Sequence, residues 1–253
     1  MKKILKYLLV LFVLLNLLII ISGKSWMYKA ISVTYLKGHP SSYISDFVHF
    51  PTNTIEAGTH QKWAIADNYN NAELPDFIKP VNDSLETVAF MVIINDSIQY
   101  ERYWHGYSAD TMSNSFSMAK SFVGSLIGVA IKDGKIKSID QKVCDFLPDF
   151  CEGGNAELTI KNLLTMSSGL NWTEDYYNPI GQTAEAYYGG DLKGLIMNLK
   201  VVEAPGKVFK YHSSCSQLLA FIVEKATGQT ISEYASEKLW KPMGAKHPAL
   251  WNT

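Results

Sequence analysis

The stretch Ser113-Asn114-Ser115-Phe116-Ser117-Met118-Ala119-Lys120-Ser121-Phe122-Val123-Gly124 carries the reading of this chain. From Ser117 to Lys132 there is no proline, and Phe122, Ile127, Val129 and Ile131 stand among small residues before Asp133-Gly134 supplies a stop. The pattern predicts a largely buried helix that opens at Ser117. Positions i and i+3 share one helical face, so the Ser117 hydroxyl and the Lys120 amine fall within hydrogen-bond reach of each other. The positive end of the helix dipole favours negative charge developing on the serine oxygen, and a lysine in its free-base form can take the serine proton. Ser-x-x-Lys by itself recurs by chance. Its weight here comes from its place at a loop-to-helix junction among small residues, where a substrate can approach.

Working outward, Tyr211-His212-Ser213 follows the loop Pro205-Gly206-Lys207 and opens a second helix, Ser214 to Thr227, closed by Gly228. A tyrosine at such an entrance near a lysine can shuttle a proton; a packed aromatic is the other reading open to it. Upstream, Thr87 to Ile94 is a short apolar, β-branched run, Asn95-Asp96 has turn chemistry, and Ser97 to Trp104 returns as a strand, so a β-hairpin is expected. Leu158 to Met166, Asp191 to Leu199 and Ile231 to Leu239 read as further helices, and Ala249-Leu250-Trp251 as the start of a strand. Breakers crowd the segment from Lys24 to about Leu85: Gly38-His39-Pro40-Ser41-Ser42, Asn68 to Asn71, Pro75 and Pro80. The expected layout is α/β (α+β), with an antiparallel sheet flanked by a helical region and left incomplete at the C-terminus, because stable sheets have more than two strands. The expected divisions are 1–23 as export segment, 24–85 as tether and wrapping region, and 86–253 as the partial domain that holds both motifs.

Together these motifs resemble the serine β-lactamase and D-Ala-D-Ala peptidase superfamily, in the β-lactamase-related branch of class C enzymes, esterases and 6-aminohexanoate-dimer hydrolases. Leu163-Leu164-Thr165-Met166-Ser167-Ser168-Gly169-Leu170 is similar to that family's helix and turn after the nucleophile helix. Leu218-Leu219 to Thr227-Gly228 is similar to its helix after the tyrosine, so the resemblance runs from about Val88 to Trp251. It implies Ser117 as the acylated nucleophile, Lys120 as general base and Tyr211 as proton relay. Ser213, in third place of a Tyr-x-Ser/Asn motif, would hydrogen-bond the substrate or Lys120, and a serine there leans towards esterase and amidase members. The implied chemistry is acyl transfer through an acyl-enzyme on a small-molecule or peptide substrate, with no metal and no cofactor.

One departure stands out. The family's third motif, Lys or His followed by Thr or Ser and Gly on a late strand, has no counterpart; Lys225-Ala226-Thr227-Gly228 has one residue too many and reads as a helix stop. An oxyanion donor is worth about 10²–10³ in rate. The expectation is therefore a truncated member that is weakly active or inactive, and the alternative is a non-catalytic protein that binds or senses penicillins or cell-wall peptides through Ser117.

The 253 residues are 47% hydrophobic, enough for a sizeable core, and 23 basic against 24 acidic side chains leave a net charge of -1, which gives nucleic acid no field to follow. Met1-Lys2-Lys3 precedes an apolar run from Leu8 to Ile21 broken by Asn16. Its length suits either a signal peptide or a spanning helix. Ser22-Gly23-Lys24-Ser25 is a poor cleavage site and Trp26, Met27 and Tyr28 are bulky, which favours an uncleaved membrane anchor through residues 4–22. Lysines before the run predict an exported, periplasmic or extracellular body. Cys144, Cys151 and Cys215 are an odd set in which Cys144 and Cys151 either pair or stay reduced. The histidines, His39, His49, His60, His105, His212 and His247, have no metal-ligand spacing. Trp104, Trp172, Tyr176, Tyr177, Tyr187 and Tyr188 are either cleft walls or packing, and Glu174 and Asp175 read as solvated loop.

Overall fold

The structure, a computed structural model, describes residues 1–252. It begins with helix α1 (Lys2–Ile21), none of whose residues is buried. Twenty residues at 1.5 Å each reach about 30 Å, the thickness of a bilayer's hydrocarbon core, and the mean hydropathy is 2.8. Asn16, the polar break in this helix, donates from Nδ2 to Phe12 O (2.7 Å) and accepts from the Tyr28 hydroxyl (2.5 Å). Its amide is thereby partnered without water.

The next segment is more structured than its breakers suggest. It contains helix α2 (Trp26–Val33), strands β1 (Thr52–Ile55) and β2 (Ala64–Ile65), and helix α3 (Ile78–Ser84). Trp26 and Val33 bury against Tyr188, with Phe50 and Tyr187 alongside. Strand β3 (Ala89–Ile94) and strand β4 (Ser97–Tyr103) form the expected antiparallel hairpin. Asn95 and Asp96 take φ of 50° and 59°, the left-handed pair that a two-residue turn between twisted strands requires. A register shift between Val92 and Ile93 bends β3.

Helix α4 (Ala119–Lys132) follows a 3₁₀ turn, Phe116–Met118, so the regular helix starts two residues after Ser117. Its buried stripe is Val123, Leu126, Ile127 and Ala130, spaced i, i+3, i+4, i+7. Of the four apolar residues singled out in the sequence only Ile127 is fully buried: Val129 and Ile131 are partly buried, and Phe122 is 37% exposed, tilted against the Trp240 ring. Helices α5 (Ile160–Leu164), α6 (Gln182–Tyr188), α7 (Leu192–Met197), α8 (Ser213–Thr227), α9 (Ile231–Ala235) and α10 (Lys241–Met243) follow. Helix α6 is an addition to the sequence reading, and a π-helical turn, Ser236–Trp240, takes over from α9 where a continuous helix is expected.

Helix α8 is the centre of the core. It buries Cys215, Leu218, Leu219, Ala220, Ile222 and Val223 and packs against α4, α5, α7 and α9. Each large aliphatic side chain removed from water contributes about 1.5–3 kcal/mol. Gly228 ends the helix at φ 74°, its N–H bonded to Glu224 O, so Lys225-Ala226-Thr227-Gly228 is a helix stop.

Strand β5 (Ala249–Asn252) pairs antiparallel with β1 as Thr52↔Asn252 through Ile55↔Ala249. The second sheet has the order β2-β4-β3, with β2 parallel to β4. The expected antiparallel pairing with a helical region is present, divided between two small sheets, and β2 adds to one of them in parallel. A partner nearly 200 residues away is invisible to local pattern, which is why the segment holding β1 reads as a tether. A disulfide joins Cys144 and Cys151, and Cys215 is a buried free thiol.

Candidate functional site

Ser117 lies on the 3₁₀ turn, in the exposed junction ahead of α4. Phe116, immediately before it, takes φ 45°, a left-handed conformation that is costly for a bulky residue, of order 1–3 kcal/mol. Lys120, on the first turn of α4, donates from Nζ to Ser117 Oγ at 3.0 Å. The Tyr211 hydroxyl donates to the same oxygen at 2.8 Å from 94 residues further along the chain. The Lys120 Nζ also lies 5.3 Å from the centre of the Tyr211 ring. One hydroxyl oxygen is therefore flanked by an amine and a phenol. A pocket of about 270 Å³ opens beside Lys120, walled by Gly124, Leu164, Met166 and Leu219.

Tyr211 is brought there by the loop that precedes α8. Gly206 N bonds Ser167 O (2.7 Å) and Lys210 N bonds Met166 O (2.9 Å), laying the loop along the turn after α5. Gly169, at φ 69°, lets the loop come close: a Cβ at that position would stand 2.1 Å from Glu203 O. His212 follows Tyr211 into the interior, 6% exposed, with Nδ1 unpartnered among the described residues. Burial pushes its pKa below the ordinary histidine value, offset in part by the charge of Glu174.

Ser213, the first residue of α8, does not turn to Lys120. Its backbone N–H donates to Glu174 Oε2 (2.6 Å) and its hydroxyl to Glu174 Oε1 (2.7 Å). Glu174 also accepts from Trp172 Nε1 (2.7 Å) and from the Tyr176 hydroxyl (2.6 Å). Burial opposes ionisation of this carboxyl, but the four donated hydrogen bonds outweigh it and hold its pKa below the usual value. Burial and the Glu174 carboxylate together push the Tyr176 hydroxyl up to about 12. Glu174 is no solvated loop residue, contrary to its sequence reading. A single acidic residue in a polar run carries no local signal of burial; the tryptophan and tyrosine two residues either side were the available hint.

Of the other aromatics, Trp172 belongs to the core, while Tyr187 and Tyr188 pack far from Ser117 in sequence terms, against Phe50. Tyr177 is 97% exposed, and Trp104 lines a separate pocket with Arg102. Among the described residues no cluster of three or more histidine, cysteine, aspartate or glutamate side chains is arranged to hold a metal ion. Nor does any strand among them carry a Lys/His-Thr/Ser-Gly run.

A helical core flanked by small sheets, with Ser-x-x-Lys and Tyr-x-Ser brought face to face, is the architecture of the serine β-lactamase and transpeptidase superfamily. The chain belongs to the Beta-lactamase family, whose model matches residues 74–253. Similar proteins include the 6-aminohexanoate-dimer hydrolase of Paenarthrobacter ureafaciens, 27% identical over 247 residues that cover 83% of this chain and 62% of that one. Protein flp of Staphylococcus aureus strain MW2 is 27% identical over 54% of this chain and 28% of its own length. Among solved structures, a Bacillus anthracis protein provisionally assigned as a 6-aminohexanoate-dimer hydrolase has a TM-score of 0.70 at 22% identity, covering 91% of this chain and 64% of that one. The chain thus spans 62% of the length of the first of these relatives and less of the other.

Proposed function

We propose that this chain is the nucleophile-bearing part of a serine hydrolase that cleaves an amide or ester bond through an acyl-enzyme on Ser117. The observation that carries the reading is the Ser117 oxygen held 3.0 Å from Lys120 Nζ and 2.8 Å from the Tyr211 hydroxyl. Ser117 Oγ attacks the substrate carbonyl carbon while its proton passes to the Lys120 amine. The tetrahedral intermediate collapses, the C–N or C–O bond breaks, and the leaving group receives a proton through Tyr211. Water then attacks the ester with the same groups acting in reverse. Ser213 contributes through Glu174 and the placement of Tyr211.

The name of the Paenarthrobacter relative makes a linear amide of an aminoalkanoic acid the first substrate to try. The α1 segment is the proposed anchor, with the lysines at its start on the cytoplasmic side and the body exported. The experiment is labelling of the purified chain with a fluorophosphonate probe and mapping of the adduct by mass spectrometry. A single adduct on Ser117, absent from Ser117→Ala, supports the reading; an unlabelled wild type refutes it.

A further inference from the structure

We infer that Glu174 is the positioning residue that holds Tyr211 over Ser117, acting through Ser213 rather than touching the reacting atoms. The inference rests on the hydrolase reading only for what Tyr211 does, not for where it is held.

The geometry is specific. Each carboxylate oxygen of Glu174 accepts two hydrogen bonds: Oε1 from the hydroxyls of Tyr176 and Ser213, Oε2 from Trp172 Nε1 and the Ser213 backbone N–H. Three of the donors, on Trp172, Tyr176 and Ser213, are side-chain groups, and the fourth is a free N–H at the start of a 15-residue helix, where the dipole favours an anion. Hydrogen bonds to a charged acceptor are about twice as strong as neutral ones, and a carboxylate with four donors has no lone-pair site left over. Glu174 therefore ties two separate pieces of chain, the Trp172–Tyr176 loop and the N-terminus of α8, at one point.

That point lies two residues from Tyr211. The backbone bonds Gly206 N to Ser167 O and Lys210 N to Met166 O fix the loop on one side of the tyrosine. On the other side the His212 ring Nδ1 has no partner among the described residues and the His212 carbonyl accepts from Cys215 N (3.1 Å) within the first turn of α8, so Ser213 is the next residue tied to another segment. Without Glu174 the α8 end of the turn keeps its packing and the Cys215 N to His212 O bond but loses its tie to the Trp172–Tyr176 loop, and Tyr211, 38% exposed, can swing from the serine oxygen. A displacement of about 1 Å at a catalytic group is enough to lose about 10²-fold in rate. Glutamine cannot replace the carboxylate, because its –NH₂ would face two of the four donors.

The test is a double-mutant cycle on the full chain, reading the second-order rate of fluorophosphonate labelling, with circular dichroism to check folding. Glu174→Gln and Tyr211→Phe are each expected to slow labelling at least tenfold, and the double variant to be no slower than the slower single one. Independent, multiplying losses would mean that Glu174 acts elsewhere and would overturn the inference. A crystal structure of Glu174→Gln separates it from the hydrolase reading. The Tyr211 hydroxyl is expected beyond hydrogen-bond distance of Ser117 Oγ even if the wild type proves unreactive, and an unmoved tyrosine would overturn the inference whatever the labelling shows.

Discussion

The hydroxyl of Tyr211 meets the hydroxyl of Ser117 at 2.8 Å, although the two are 94 positions apart and the whole of α4, α5, α6 and α7 lies between them in the chain. Lys120 reaches the same oxygen from one helical turn away. The two contacts differ in what sustains them: the first depends on the packing of α8 against α4, the second on a single turn of helix.

From the three-way contact, Lys120→Met is expected to lower the labelling rate of Ser117 by about 10²–10⁴-fold, the usual contribution of a positioned proton-transfer group. Tyr211→Phe is expected to lose at least tenfold. Rates measured with one fluorophosphonate at fixed pH check both; a Lys120→Met chain that reacts as fast as wild type removes Lys120 from the mechanism.

Glu174 makes stability depend on pH in a definite direction. Its native pKa lies below the ordinary carboxylate value of about 4.3, so its contribution is complete above that value and is lost as pH falls from there through the native pKa. Urea unfolding between pH 3 and 7 should show wild type exceeding Glu174→Gln at neutral pH and the difference shrinking below about pH 4. His212 acts on a higher window. Because burial lowers its native pKa, stability should fall as pH drops below about 6.5, the unfolded value, and level off once pH passes the native one.

Leu218 is fully buried at the middle of α8. Leu218→Ala removes about three methyl-sized groups from a packed interior and should cost about 2–5 kcal/mol. The midpoint of urea unfolding should fall with an unchanged slope, whereas a shift under 1 kcal/mol would mean that the core about α8 collapses around the gap.

The thiols should behave unequally. Cys144 and Cys151 are joined, while burial pushes the Cys215 thiol up to about 11, and a protonated, enclosed thiol is a poor nucleophile. The native chain should resist iodoacetamide at pH 8, and the unfolded, unreduced chain should take up one equivalent. Uptake of three would show the disulfide absent.

Helix α1 should keep the full chain in the membrane fraction through carbonate and high-salt washes, since its 20 residues expose no charge between Lys6 and Ile21. Release by salt alone would assign the association to surface charge instead.

Much of this was legible from short-range pattern. Ser117 and Lys120 share a helical face by spacing alone, Asn95-Asp96 announces the β3–β4 turn by its tolerance of positive φ, and Gly228 ends α8 where the pattern breaks. Each of these is set by interactions within a few residues, which sequence order already places side by side. The remainder required the folded chain. The pairing of β1 with β5, the parallel addition of β2 to β4, and the two hydrogen bonds from Ser213 that help turn Glu174 from an apparent surface residue into a half-buried clamp all join segments far apart in sequence. Residue type and local period specify which bonds a segment can make; which distant partner takes them is decided only when the core about α8 closes and leaves each polar group one place to go.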